Sequence, residues 1–455
     1  MTHLILSRMN VHSANQSFYS IFTAPKLGGR FVHDNVQLEY TPRNFTRNPW
    51  HAMYYVIEVD ANTLSKATIK QVLSDKSEEE KSVPQLGLAT APSHWASCVQ
   101  AVDPINSSVT STIYLEDNET ALCCACVPFE SREWEVYLVV GTGQDMNVGG
   151  KASAYQSRGG GFLHVYKLHD NGTRLEFLHK TRFEEPIHAI LPFKGRLAVG
   201  IGAELFIYDL GTKAMMRKSR GGRVPNKIVT INAAGDRLVC GDVAESLTYI
   251  VFKPKANRMI PFVDDTIQRW TTASAMVDYE TAVGGDKFGN LWVLRCPPQA
   301  SEEADEEGMN GFIVNERPYL GGAPYRLECR AHFFVNDVPT SIKRTPLVAG
   351  GQDVIFWSGI SGTLGILVPF VSREDVVFFQ SLEQALRTEE PPLTGRDHLM
   401  YRGYYQPVKG VIDGDLCERF MALGYDGKAR IAAELEREPK EVEKKVVEMR
   451  TRVAF

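Results

Sequence analysis

The sequence predicts a mainly β fold, a seven-bladed WD-like β-propeller followed by a small α-helical C-terminal domain, and three observations predict it. Four short apolar strands end in glycine: Tyr137-Leu-Val-Val-Gly141, Leu197-Ala-Val-Gly-Ile201, Leu238-Val-Cys-Gly-Asp242 and Thr281-Ala-Val-Gly-Gly285. Each is followed by an alternating strand: Phe162 to Leu168, Leu205 to Leu210, Ser246 to Phe252 and Asn290 to Arg295. The second observation is the period. Gly200, Gly241 and Gly284 recur at intervals of 41 and 43 residues, within the roughly 40–45 residues of a four-stranded propeller blade. Third, the apolar spacing changes from two to three and four after Ser372, which marks a helical segment.

Residues 1–30 are polar and weakly patterned, and residues 31–372 carry the propeller. Leu38 to Pro42 and Met53 to Val59 read as strands of one blade. Residues 60–92 read as an excursion, with Lys66 to Lys81 helical or disordered and a charge run from Asp75 to Lys81. Strands resume at Trp95 to Val99 and continue from Ala121 to Val127. A third strand of each blade precedes its glycine anchor, as Ile187 to Leu191, Lys227 to Ile231 and Ala273 to Val277. In Asp286-Lys-Phe-Gly-Asn290, Gly and Asn supply the positive φ of a tight hairpin. A charged insertion from Ser301 to Glu307 precedes the last blade, Val354 to Ser358 with Gly365 to Pro369; both charged insertions belong on the rim. Blades are anchored near Tyr55, Val139, Val199, Val239, Val283 and Phe356. Six are visible, and Trp95 to Val102 offers strands for an incomplete seventh. Such a ring is expected to be open, or closed only weakly by residues 1–30, because a propeller closes by pairing its last blade with a strand from its start.

Residues 373–455 form the α-helical domain. Val376, Phe379, Leu382 and Leu386 share one helix face, stopped by Pro391 and Pro392. Leu416, Phe420 and Leu423, then Ile431, Leu435, Val442, Val446 and Met449, describe shorter helices. Asp413 or Asp415 is an N-cap candidate, and Pro439 opens the last helix. The loop holding Arg396, Asp397, His398, Tyr404 and Tyr405 combines charge with aromatic rings, a composition favoured at interface cores, and these five are the candidate partner contacts. The competing structural role is to dock the helices onto their own propeller.

Composition narrows the function classes. With 50 basic and 55 acidic residues the net charge is −5, which argues against a surface that coats nucleic acid as a whole and leaves room for a local basic patch. No uncharged apolar run approaches the roughly 18–20 residues of a membrane span, and no signal peptide follows Met1, so a soluble intracellular protein is expected. Five of the eight cysteines lie in or beside strands and read as free thiols of a reducing compartment. Cys123 and Cys126 are spaced as one C-x-x-C, but no second Cys/His cluster at zinc spacing accompanies them.

The catalytic motifs fail one by one. Gly149-Gly-Lys-Ala152 resembles a phosphate loop, but Asp145 and Ala152 replace the glycine and hydroxyl residue it needs. Gly159 to Gly161 precedes a strand, without the helix N-terminus of a phosphate site. Gly359 to Thr363 departs from the nucleophile elbow at its final position. His164 and His188 lie on strands as structural residues, and no cofactor or metal is expected. An enzyme with a site in the central channel would need convergent carboxylates or histidines that the blades do not supply.

Several segments resemble the third propeller and helical C-terminal domain of splicing factor three b, subunit three: Glu176 to Thr181, Phe262 to Thr266, Arg269 to Ser274, Gly284 to Asn290, Gly365 to Phe370, Pro391 to His398, Pro407 to Lys409, Val411 to Leu416 and Arg450 to Phe455. The resemblance covers roughly residues 31–455. The Ile412-Asp-Gly-Asp-Leu416 motif is also similar to the damaged-DNA-binding adaptor of cullin ubiquitin ligases and to the large cleavage-and-polyadenylation subunit. The family protein has three propellers, two of which have no counterpart here, so the resemblance implies a fragment, a truncated form or a divergent short form. It implies a nuclear, non-catalytic scaffold of the spliceosomal complex that recognises the intron branch site. Its implied partners are a helical-repeat large subunit and small accessory subunits, with RNA contact at most indirect. An adaptor propeller of a cullin ligase or of the cleavage and polyadenylation complex is the alternative; capture of splicing subunits or of a cullin separates the two.

Overall fold

The computed structural model describes residues 18–23, 32–66, 68–69, 90–146, 160–306, 322–347, 350–389, 395 and 397–451. An antiparallel pair, β1 (Phe18–Thr23) and β2 (Val32–Gln37), comes first. Blade 1 is β3 (Pro42–Arg47), β4 (Tyr54–Thr63), β5 (Thr90–Asp103) and β6 (Ser108–Tyr114). Blade 2 is β7 (Glu119–Pro128), β8 (Val136–Gln144), β9 (Gly161–His169) and β10 (Arg174–Phe183). Blade 3 is β11 (Ile187–Phe193), β12 (Arg196–Ile201), β13 (Glu204–Leu210) and β14 (Met215–Arg223). Blade 4 is β15 (Ile228–Ala234), β16 (Arg237–Asp242), β17 (Leu247–Lys253) and β18 (Arg258–Asp264). Blade 5 opens with β19 (Thr271–Met276), β20 (Thr281–Asp286) and β21 (Asn290–Arg295). The helix α1 (Pro298–Asp305) and the short β22 (Tyr325–Arg326) intervene before β23 (Glu328–Phe334) completes the sheet; β22 instead pairs in parallel with β18. Blade 6 is β24 (Pro339–Pro346), β25 (Asp353–Gly359) and β26 (Leu364–Leu367).

Every blade is an antiparallel meander, and its first strand packs on the first strand of the next, so β3, β7, β11, β15, β19 and β24 succeed one another around the axis. Cores form between neighbouring blades. Val139 and Val165 of blade 2 pack with Ile187, Leu197 and Val199 of blade 3, and Ala198 and Leu205 of blade 3 with Ile228, Leu238 and Ile250 of blade 4. Each sheet thus buries both faces, which is why its strands read as nearly continuous apolar runs.

The glycine anchors are fixed by this stacking. A Cβ on Gly141 would stand 2.8 Å from Ile187 Cγ2, one on Gly200 would stand 2.7 Å from Ile228 Cγ2, and one on Gly285 would stand 2.5 Å from Pro339 Cβ. Ile187, Ile228 and Pro339 are the first residues of β11, β15 and β24. At each of these positions the second strand of one blade meets the innermost strand of the next where no side chain fits. Buried carboxylates tie the connections. Asp242 accepts from the backbone N–H groups of Asn226, Lys227, Ala244 and Glu245 at 2.7–3.1 Å. Glu119, fully buried, accepts from His164 Nε2 at 2.7 Å and Lys180 Nζ at 3.1 Å. Burial raises its carboxyl, but the His164 hydrogen bond and charge outweigh that and hold it near 2.

Several expectations are corrected. Six blades and the pair β1–β2 are built among the described residues, so a seventh is not completed there. Trp95 to Val102 is no part of another blade: it lies in β5, paired with β4 in register Val56 to Gln100, beside Tyr55. The excursion between them is the connection of one hairpin, and its length disguised two adjacent strands as separate elements. Within residues 1–30, Phe18–Thr23 is a strand. Leu38 and Tyr40 lie between strands, buried; Leu38 packs with Val36 against Val56 and Val102 of blade 1. In the β20–β21 turn only Gly289 has positive φ (+87°), whereas Asn290 begins a strand and bonds the Asp286 carboxylate. Most of Lys66 to Lys81 lies outside the described residues. The acidic Ser301 insertion is the rim helix α1, which buries Ala300 and Ala304 against blades 4 and 5 and places Asp305 on the buried Arg237 at 3.0 Å.

After blade 6 come α2 (Arg373–Glu389), α3 (His398–Arg402), α4 (Gly414–Glu418), α5 (Tyr425–Glu434) and α6 (Pro439–Thr451). Phe379, Leu382, Leu386, Leu416, Phe420, Ile431, Val442 and Val446 form a core shared by α2, α4, α5, α6 and the turn after α4.

Replacing Gly200 by alanine tests the stacking constraint. An unstrained Gly→Ala change stabilises by about 0.4–1 kcal/mol through the unfolded chain, whereas overpacking costs about 1–3 kcal/mol. The Ile228 contact predicts net destabilisation by up to about 2.5 kcal/mol in urea unfolding; a stabilised variant would contradict it.

Candidate interaction surface of the helical segment

The segment between α2 and α4 is organised by one buried carboxylate. Asp413 caps α4, its Oδ1 accepting from the N–H groups of Asp415 and Leu416 at 3.1 and 3.3 Å. Its Oδ2 lies 2.8 Å from His398 Nε2 and 2.7 Å from Arg402 Nε. His398 and Arg402 reach it together because they stand four residues apart on α3, one turn of a single face. The Asp413 N–H in turn donates to Glu383 Oε1 of α2 at 3.3 Å. The Asp413 side chain thus joins α3 to α4, and its backbone N–H adds α2. Burial raises the Asp413 carboxyl, yet the hydrogen bond from His398 and the charge of Arg402 prevail and leave it below the ordinary aspartate range.

The same arginine fastens the helices to blade 5. Arg402 Nη1 donates to the Phe334 carbonyl at 3.1 Å, and its guanidinium lies 4.8 Å from the Phe333 ring centroid. Tyr401 meets Phe334 edge-on at 5.6 Å, and Tyr405 stacks on Phe288 of the β20–β21 turn at 5.3 Å and 15°. Backbone pairing adds to this: His332 and Lys409 exchange N–H···O bonds of 2.8 and 3.0 Å, so residue 409 extends the blade at the free edge of β23. Gly410, at φ +61°, permits the approach, since a Cβ there would stand 2.4 Å from the Arg330 carbonyl. His332 itself is buried with neither ring nitrogen bonded among the described residues; burial, then Arg269, pushes it down to about 4.

The five candidate contacts divide. Arg396 lies outside the described residues. His398 is a ligand of Asp413, and Tyr405 docks on the propeller. Asp397 is exposed and precedes α3 without a side-chain cap bond. Tyr404 touches Phe334 obliquely yet stays 63% exposed, beside Met400 at 65%. Sequence reasoning missed Arg402, Met400 and the Phe333–Phe334 platform. The i,i+4 spacing of His398 and Arg402, within reach of an N-cap aspartate, was the available signal. Between blades 5 and 6 and the helices lies an apolar cavity of about 800 Å³, lined by Phe333, Trp357, Ile366, Phe370, Ile412 and Val446. Among the described residues no three His, Cys, Asp or Glu side chains are grouped to hold a metal ion. The arrangement offers a surface with exposed Tyr404 and Met400 on a helical segment that is anchored to blade 5.

The model of the CPSF A subunit region family matches residues 96–422. The chain is 51% identical over 441 residues to the pre-mRNA-splicing factor rse1 of Emericella nidulans, covering 96% of the chain and 36% of that protein. It is 39% identical over 435 residues to the pre-mRNA-splicing factor prp12 of Schizosaccharomyces pombe, covering 95% and 35%. Against a probable splicing factor 3B subunit 3 of Dictyostelium discoideum the identity is 38% over 476 residues, covering 98% and 37%. The chain thus spans little more than a third of the length of these relatives.

Replacing Asp413 by asparagine should cost about 1–3 kcal/mol, because the partly buried Arg402 loses its close carboxylate and keeps only Asp415, at 3.7 Å, as an acidic partner. The sign of the pH effect follows from the depressed carboxyl. The contribution of Asp413 is complete above an unfolded value of about 4 and is lost as pH falls through the lower folded value. Melting temperature between about pH 6 and pH 3 checks both; an Asp413→Asn variant with the stability and acid sensitivity of the parent would contradict them.

Proposed function

Because the chain belongs to the CPSF A subunit region family, we propose that it is a non-catalytic scaffold of pre-mRNA splicing, a protein-binding part of the nuclear complex that recognises the intron branch site. One observation carries the reading: proteins named as splicing factors match it along 95–98% of its length. The geometry is in keeping with it, since the buried His–carboxylate pairs among the described residues serve structural bonds, Glu119 with His164 and Lys180, and Asp413 with His398 and Arg402. What the surface offers instead is exposed Tyr404 and Met400 on an anchored helical platform, with Asp397 beside them. A helical-repeat large subunit and small accessory subunits are the proposed partners, with RNA contact at most indirect.

Affinity capture of the tagged chain from nuclear extract tests this. Splicing subunits are the expected main partners, and the double variant Tyr404→Ala, Met400→Asp should reduce their recovery about tenfold with the melting temperature unchanged. Recovery of a cullin in place of splicing subunits would overturn the reading; undiminished capture by the variant would move the contact elsewhere.

A further inference from the structure

A second surface lies away from the helices, between blades 2 and 3. The outer strand β14 reads Met215-Met-Arg-Lys-Ser-Arg-Gly-Gly-Arg223, four cations in nine residues without an acid. Two are answered within blade 3: Arg220 grips Glu204 through Nε and Nη2 at 2.8 and 2.9 Å, and Lys218 lies 3.7 Å from Asp209. Arg217 and Arg223 are exposed and form no ion pair among the described residues, and neither does Arg182, which faces them from β10. These arginines line an open cleft of about 1140 Å³. Of the three acids that line it, Glu204 is held by Arg220, and Glu185 is turned toward Gly202, where a Cβ would meet its Oε2 at 2.5 Å, and acts on Lys227. Glu184 is left against three arginines.

We propose that this cleft binds an extended acidic segment of a partner protein, held by Arg182, Arg217 and Arg223. Guanidinium groups suit carboxylates because their paired N–H donors match both oxygens. The apolar floor favours a peptide over a nucleic acid. Single strands are held on free aromatic faces, but here the rings are engaged with one another. Phe183 meets Tyr208 edge-on at 5.4 Å, Phe206 tilts against Tyr208 at 6.1 Å, and the Arg220 guanidinium lies 5.8 Å from the Phe206 centroid. What the floor presents is ring edge and aliphatic surface, Ile201 included, suited to apolar side chains interspersed among acidic ones.

Fluorescence anisotropy on the full 455-residue chain tests the assignment. The probe is a labelled peptide of about a dozen residues, mostly glutamate with phenylalanine at every third position, compared with an oligouridylate of equal length. The peptide should bind at about 50 mM salt and be released at about 500 mM. The double variant Arg217→Glu, Arg223→Glu should weaken it at least about tenfold, while Lys440→Glu on α6 leaves it unchanged. If the charge-reversed chain has a lowered melting temperature, Arg182→Ala with Arg217→Ala replaces it, with a loss of about threefold or more expected. No binding by the parent chain, binding untouched by the arginine variants, or tighter binding of the oligouridylate would each overturn the proposal.

Discussion

The structure depends on close approach between blades at positions where no side chain fits. Gly141, Gly200 and Gly285 stand on second strands against Ile187, Ile228 and Pro339, the residues that open the next innermost strands. Around an axis, neighbouring sheets converge most where the radius is smallest, so a Cβ there meets β-branched or ring atoms below van der Waals distance. Farther out the sheets diverge, and larger side chains fill the space: Tyr166 and Tyr208 on third strands, Trp292 against Gly284. Glycine near the axis and aromatics toward the rim are one solution to a wedge-shaped gap.

That geometry also explains how the helical segment is held. A blade ends in an outer strand whose far edge carries unpaired backbone groups. At β23 the edge is used: Lys409 pairs with His332, Arg402 takes the Phe334 carbonyl, and the rings of Phe288, Phe333 and Phe334 receive Tyr405, Arg402 and Tyr401. Asp413 converts this local attachment into a connection through three helices, since its carboxylate serves a helix cap, His398 and Arg402 at once while its backbone N–H reaches Glu383. The β14 edge is different. It carries basic groups in excess of its own acids, facing a cleft rather than another element of the chain.

Much of the architecture was legible because periodicity reports burial. Strands of period two ending in glycine located blades 2 to 5, those of blades 3 to 5 at intervals near 42 residues, and the 3.6-residue spacing of Phe379, Leu382 and Leu386 located α2. Blade 1 was harder, since a long connection within one hairpin resembles a boundary between blades when only local pattern is read. The strand Phe18–Thr23 was missed for a related reason: its partner β2 is mostly polar, Val-His-Asp-Asn-Val-Gln, so the alternation that marks a half-buried strand is weak. The interaction surface was legible in composition but not in role. Charge and aromatic content singled out His398, Tyr404 and Tyr405, yet which of them docks inward is decided by Asp413 and Phe288, 15 and 117 residues away in the chain. Long-range pairing of this kind leaves no trace in local spacing.

The contacts of Arg402, Tyr405 and Lys409 make the helical segment and blade 5 one cooperative body. Native-state hydrogen exchange measures this directly. The account predicts that the amides of Lys409, Leu416 and Cys417 open with the same free energy as those of Leu291 and Val293 in β21, and with the same denaturant dependence. Exchange of the helical amides through an earlier, separate opening, with β21 still protected, would contradict it.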